Sequence, residues 1–428
     1  MLRTLLMSFA SLALLAGTAA ASPPCPPQAN GIRHCPGVDL RGQRLAGTDF
    51  SSADLTGADF RGADLARAIF DDAKLDGARF DDARLTDASF RRALLNSASF
   101  RGADVARAKL VGAKLSGARF AHAQLAYAVF HQSDANQADF SWAIFNATDL
   151  RGVNLAGADL RGTRLLNALV DSGTNLAGVD LRGGDLRAFG REGMNFVGAR
   201  LAGANLTGAT LPGADFTAAD LTGATLTDGD FTAAVFLDAV LDGARAEGAD
   251  LSRADLSGAA MSGVDLREAD LRRARLLRVT LAGVDLRGAR ASGANLSEAH
   301  FEGVRVVGTD LTGAFFRRAK ATNVDFRGAA LGGADFTSAQ LSHAVFSQVD
   351  FWDAHEHVSA RFNGAELSGA QLDYANLRRA DLRGVTGERA CFRRADLSNA
   401  DLSGAMLVGT DFAGANLDGI RKRRATLE

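Results

Sequence analysis

Ala53-Asp54-Leu55-Thr56-Gly57-Ala58-Asp59-Phe60-Arg61-Gly62-Ala63-Asp64-Leu65-Ala66-Arg67-Ala68-Ile69-Phe70 is the stretch that decides the fold. A large apolar residue returns at every fifth position, at Leu55, Phe60, Leu65 and Phe70, and the pattern holds with few breaks from Leu40 to Leu417. An α-helix turns every ~3.6 residues and a strand alternates in pairs, so a period of five fits neither. A short repeat sustained over most of a 428-residue chain indicates a solenoid, in which each unit buries its apolar face against its neighbours.

The recurring phrase Ala-(Asp/Asn)-Leu-x-x, as in Ala63-Asp64-Leu65 and Ala204-Asn205-Leu206-Thr207-Gly208, resembles the pentapeptide repeat family. The resemblance covers nearly all of the chain after its N-terminal segment. It implies an all-β fold: a right-handed parallel β-helix solenoid of square cross-section, with four pentapeptides per coil. The sequence carries its own test of four sides. Read twenty residues apart, Phe60, Phe80, Phe100, Phe120 and Phe140 fall on one side, and Phe50, Phe70, Phe90 and Phe130 on the opposite side. The sides between are filled mainly by leucine, at Leu65, Leu85 and Leu125 and at Leu55, Leu75, Leu95 and Leu115. Large rings facing each other across smaller side chains form a packed core. The small residue two before each centre, such as Ala53 or Ala254, is expected to point inward. The Asp or Asn just before the centre and the two residues after it are expected to point out, with Gly suiting the corner.

The register breaks near 171–175 and near 352–361, and leaves roughly 75 slots in about 19 coils. At ~4.8 Å per coil the rod is about 90 Å long. Arg191 occupies a centre slot that cannot hold an unpaired charge, so the chain is expected to bulge over 187–194 and to turn Phe189 inward instead. Of six prolines, five lie between Pro23 and Pro36, leaving the repeats with Pro212 alone. That suits ladders that use their N–H groups.

Residues 1–21 read as a secretory signal: Arg3, the apolar run Leu5–Ala16, and the small residues Ala19-Ala20-Ala21 before cleavage. The apolar run is short for a membrane span, and none is expected after cleavage. Residues 22–38 are expected to form an N-terminal cap, with a Cys25–Cys35 disulfide suited to an oxidising compartment. The β-helix is expected over 39–417. Residues 418–428, with Arg421, Lys422, Arg423 and Arg424, are expected to form a basic solvated tail. Cys391, just before Phe392, is expected to face outward as a free thiol.

No Walker loop, nucleophile elbow or zinc-ligand spacing occurs, and neither a cofactor nor a catalytic residue is expected. Two places carry candidate chemistry. His355, Glu356 and His357, in the second register break, have donor types that ligate metals. Asp230, Asp250, Asp270, Asp310 and Asp350 fall at multiples of twenty and form an acidic stripe, interrupted by Arg290. Some cytosolic members of the resembled family mimic DNA and bind DNA gyrase through an acidic face, so a topoisomerase inhibitor is the alternative that the resemblance implies. A DNA mimic needs a sustained negative field, whereas 48 basic residues here nearly balance 50 acidic ones. The expectation is therefore an exported, non-enzymatic, rod-like scaffold, periplasmic or secreted. Its partner is expected to be an envelope or extracellular protein rather than nucleic acid.

Overall fold

The computed structural model describes residues 33–427, apart from 166 and 188. The expected signal segment and Cys25 lie outside the described residues. Most described units follow one hydrogen-bonding plan, which the unit around Leu55 illustrates. Leu55 N–H donates to Lys74 O (2.8 Å) and Gly57 N–H to Asp76 O (2.9 Å) in the next coil, while Asp54 N–H donates back to Arg33 O (2.8 Å). Ala58 N–H closes the corner on Leu55 O (3.0 Å). The corner is a type II turn, with φ near +60° two residues after the centre, at Asp72 (φ 60°) as at Gly57 (φ 68°). Four of the five N–H groups thus find backbone acceptors. The fifth, on Thr56, donates to the Asp54 carboxylate (3.3 Å), whose Oδ1 also accepts the Thr56 hydroxyl (2.8 Å). Buried or half-buried backbone donors need such partners, which explains why Asp or Asn precedes so many centres.

Parallel bridges run at a spacing of twenty from His34↔Asp54 to Met406↔Thr426. They widen into short strand pairs at two places. β1 (Thr280–Ala282) pairs with β2 (His300–Glu302), and β5 (Thr386–Glu388) pairs with β6 (Met406–Val408). The result is the square β-helix that the repeat implies. Its core is the inward row of centres and the alanines two before them, almost all fully buried. Phe60, Phe80, Phe100, Phe120 and Phe140 stack along the axis at centroid spacings of 4.9, 4.8, 4.5 and 4.9 Å. Phe50, Phe70 and Phe90 stack likewise on the opposite side (5.1 and 4.8 Å). The two columns meet edge to face, as Phe70 and Phe80 do at 5.7 Å and 81°. Both geometries match the quadrupole of the rings.

The irregular slots are resolved locally. Phe189 is buried and Arg191 exposed, as the bulge requires. Gly190, at φ +119°, makes that exchange, since a Cβ there would lie 2.4 Å from Leu211 Cδ2. The first register break adds one residue, and the bridges shift to Asn154↔Asn175 and Asp159↔Asp180. Asp171 absorbs it: its Oδ1 accepts Gly152 N–H (2.8 Å) and Gly173 N–H (3.1 Å). The second break adds six, and the bridges shift to Asp335↔Arg361 and Gln340↔Glu366. The extra residues form an antiparallel hairpin, β3 (Trp352–Asp353) against β4 (Val358–Ser359).

The coil extends further at both ends than the apolar pattern indicates. Cys35 fills the slot twenty before Leu55 and its N–H donates to Asp54 O (2.8 Å), so the ladder starts inside the expected cap 22–38. Residues 418–427 are a last coil rather than a free tail, with Leu402 N–H on Arg421 O (2.6 Å) and Leu407 N–H on Thr426 O (2.8 Å). Lys422 takes the slot twenty after Leu402 and stays exposed. An end coil is open to water on one side, so its backbone can pair without an apolar centre.

Candidate functional site: the hairpin and the charged outer faces

The outward carboxylates are mostly occupied at home. Where Arg follows two residues after Asp, the carboxylate caps its backbone and grips its guanidinium together. Asp59 Oδ1 accepts Arg61 N–H (3.2 Å) and Nε–H (2.8 Å), and Oδ2 accepts Nη2–H (2.6 Å). Asp39–Arg41, Asp149–Arg151, Asp285–Arg287 and Asp381–Arg383 repeat this clip. It is a bidentate ion pair of the directional kind. Its sequence signal was the Asp-(Leu/Phe)-Arg phrase, whose Arg the inward-outward alternation alone leaves unexplained.

The expected acidic stripe is corrected by the same chemistry. Asp230, Asp250, Asp310 and Asp350 accept the backbone N–H of Thr232 (3.0 Å), Ser252 (2.9 Å), Thr312 (3.0 Å) and Trp352 (2.9 Å). Asp270 is buried beneath Arg272 (2.5 Å) and Arg290 (3.1 Å). Burial alone would raise the Asp270 carboxyl, but the hydrogen bonds and charge of Arg272, with Arg290, hold it below the usual carboxylate range. The stripe is a row of turn caps, broken at its centre where Arg272 and Arg290 pair with Asp270.

The hairpin lies across the Leu331-Gly332-Gly333 corner of the coil before it. Gly332 has no side chain to obstruct it: a Cβ there would meet Asp353 Cα, Asp353 N and Trp352 O, each at 3.2 Å. Asp353 Oδ1 accepts the N–H groups of His355 (2.8 Å) and Glu356 (3.2 Å) and so shapes the turn. Ala360 N–H closes the base on Phe351 O (3.0 Å). Trp352 packs near His357, with ring centroids 6.3 Å apart. It also lies under the guanidinium groups of Arg378 (5.9 Å) and Arg379 (5.5 Å) from the following coil, within cation–π range. Below, Asp335 anchors the restored register. It pairs with Arg317 (2.7 Å) and Arg361 (3.3 Å). Burial pushes its carboxyl up, but bonds from Thr337 and Arg317 outweigh that and leave it below the ordinary value.

The expected ligand trio is not drawn together. His355, Glu356 and His357 sit in the exposed turn, and the Asp353 carboxylate is spent on backbone donors. Among the described residues no group of three His, Cys, Asp or Glu side chains is arranged to hold a metal ion. A two-residue spacing around a tight turn spreads these side chains instead of converging them. Cys35 is disulfide-bonded, and Cys25 lies outside the described residues. Cys391 is free and half-buried, and its thiol donates to Asp373 Oδ1 (2.8 Å). Burial and that neighbouring carboxylate push the thiol up, so it is a poor nucleophile. Arg378 and Arg379 were not legible as partners of Trp352, because the stacking offset at this place is 26 rather than 20.

With this geometry in hand, comparison with known proteins is direct. The model of the pentapeptide repeat region matches residues 44–120. The model of pentapeptide repeats in eight copies matches successive segments from 106–141 to 388–421. No curated protein sequence matches. Among solved structures, the chain is similar to HetL, a pentapeptide repeat protein involved in heterocyst differentiation regulation from the cyanobacterium Nostoc. Identity is 28%, over 65% of this chain and 92% of HetL, with a TM-score of 0.25. It is also similar to a pentapeptide repeat protein of the Arabidopsis thaliana thylakoid lumen (39% identity, 24% of this chain, 68% of that one, TM-score 0.14). A third is QnrB1, a plasmid-mediated fluoroquinolone resistance protein (18% identity, 56% and 91%, TM-score 0.18). At TM-scores this low no functional argument rests on these structures. The family models together span well over half of the sequence, and the chain belongs to the pentapeptide repeat family.

Proposed function

We propose that this protein is an exported, non-enzymatic scaffold of the bacterial envelope that binds a protein partner along its rod. The observation that carries the reading is the continuous ladder from His34 to Thr426, which commits the backbone and most outward carboxylates to holding the rod together. A surface so committed recognises by shape and by local contacts, as solenoids do. Three features favour export: the signal-like segment 1–21, the disulfide-bonded Cys35, and the suitability of an oxidising compartment for that bond. The other reading, a topoisomerase inhibitor acting through an acidic face, is disfavoured by Arg272 and Arg290 over Asp270.

The test is fractionation of the native protein, sequencing of the mature N-terminus, and cross-linking in intact cells. Cleavage near Ala21, recovery outside the cytoplasm and a cross-linked envelope protein are the expected results. An uncleaved cytoplasmic protein overturns the reading.

A further inference from the structure

The hairpin does more than interrupt the rod. With the neighbouring coils it borders an open depression of about 340 Å³, lined among others by Trp352, Val358, Ser359, Arg361, Arg379 and Asp381. This is the low end of the size of small-molecule sites, enough for a single ring. Its chemistry is specific. Arg379 lies over the Trp352 ring at 5.5 Å and makes no ion pair among the described residues. An aromatic face beneath a guanidinium restrains it without using its N–H groups, which stay free to grip a planar anion. The Ser359 hydroxyl is buried without a partner beneath the wall of the depression, a local cost that leaves the hairpin base free to adjust. Trp352 and Val358 supply an apolar wall. Asp381, held by Arg383 (2.7 Å), has lone pairs left to accept from a hydroxyl.

We propose that this depression binds an acidic sugar, meaning a hydroxylated ring bearing one anionic group. Arg379 receives the anion, the apolar face of the ring lies against Trp352 and Val358, and a ring hydroxyl donates to Asp381. A peptide is disfavoured because the depression admits little more than one side chain. The proposal goes beyond the scaffold reading and does not depend on where the protein resides.

The sequence provides its own control. Removing residues 352–357 leaves Asp350-Phe351-Val358-Ser359-Ala360, a regular pentapeptide, so the deletion is expected to fold as an uninterrupted rod. The chain has two tryptophans, and Trp142→Phe makes Trp352 the sole indole reporter. In that background the full chain is titrated with glucuronate, glucose 6-phosphate, glucose and inorganic phosphate, and Trp352 emission is read. Saturable binding of glucuronate or of glucose 6-phosphate is expected, at least tenfold tighter than glucose or inorganic phosphate. The tighter of the two identifies the anion as carboxylate or phosphate. Arg379→Gln should weaken binding at least tenfold. The deletion, followed by calorimetry because it removes Trp352, should abolish binding while the circular dichroism spectrum is kept. No saturable response, equal binding of inorganic phosphate, or unchanged affinity in Arg379→Gln would each overturn the proposal.

Discussion

Ala135 is one of the few small residues in a centre slot, and Phe145 stands on the side facing it, where the coil below has Leu125 and the coil above Leu165. Leu115 and Leu155 flank Ala135 in its own column, and all of these side chains are buried. An alanine and a phenylalanine together carry as many side-chain carbons as two leucines. The pair therefore exchanges volume across one level of the core, and Phe145 leans against Phe140 at 5.3 Å and 57° to use the space. Phe145→Leu removes three carbons, at ~0.8 kcal/mol per methylene plus a cavity penalty, or about 3 kcal/mol. Ala135→Leu alone overpacks the level and costs about 2 kcal/mol. The double variant recreates the leucine pair of the adjacent coils and is expected within about 1 kcal/mol of wild type. The coupling between the sites is then about 4 kcal/mol. Guanidinium unfolding of the four proteins, followed by the fluorescence of Trp142 at the corner after Phe140, measures it. Additivity to within about 0.5 kcal/mol would show that the two side chains share no volume, and would refute this account of the small slots.

Three further outcomes follow from the bonding. The Arg287 clip holds the Asp285 carboxyl down at about 2. Its contribution to stability is complete above the unfolded value near ~3.9 and is lost as pH falls through the folded one, so acid unfolding below about pH 4 should be less steep in Asp285→Asn than in wild type. Asp171→Ala strands the N–H groups of Gly152 and Gly173 and should cost about 2 kcal/mol in chemical denaturation, whereas Asp171→Asn keeps the acceptor and should restore most of it. Gly332→Ala presses a methyl group on the hairpin backbone and should cost about 1 kcal/mol, shifting Trp352 emission while the circular dichroism of the rod is unchanged.

The fold was legible because its signal is redundant. Phe60 to Phe140 repeat the same message at every coil, and one substitution such as Ala135 does not erase it. Arg191 could be read as misplaced because a charge in a narrow core has no solution but to leave it. The candidate site was legible only as a place. The step of eleven from Phe351 to Phe362 shows an insertion, but period-five reasoning has no term for an antiparallel hairpin. The histidines drew notice by composition, while Ser359 meets Trp352 across the hairpin and Arg378 and Arg379 meet it only once the insertion has shifted the stacking. The outward aspartates were read as solvated because the fifth N–H of each unit becomes a debt only when the other four partners are drawn. The ends were misjudged because ladder bonds are made by backbone, and the apolar pattern does not report on them.

The Asp–Arg clips have a consequence for how this rod meets anything. A cation two residues from its anion is a short dipole, and at physiological salt, with a screening length of ~8 Å, such dipoles cancel within a layer or so of water. Along the clipped faces the charge is dense, yet each pair there largely cancels its own long-range field. Association along the clipped faces should therefore proceed at unsteered rates that change little with ionic strength, and selectivity should be exercised after contact, in how long a correct partner stays.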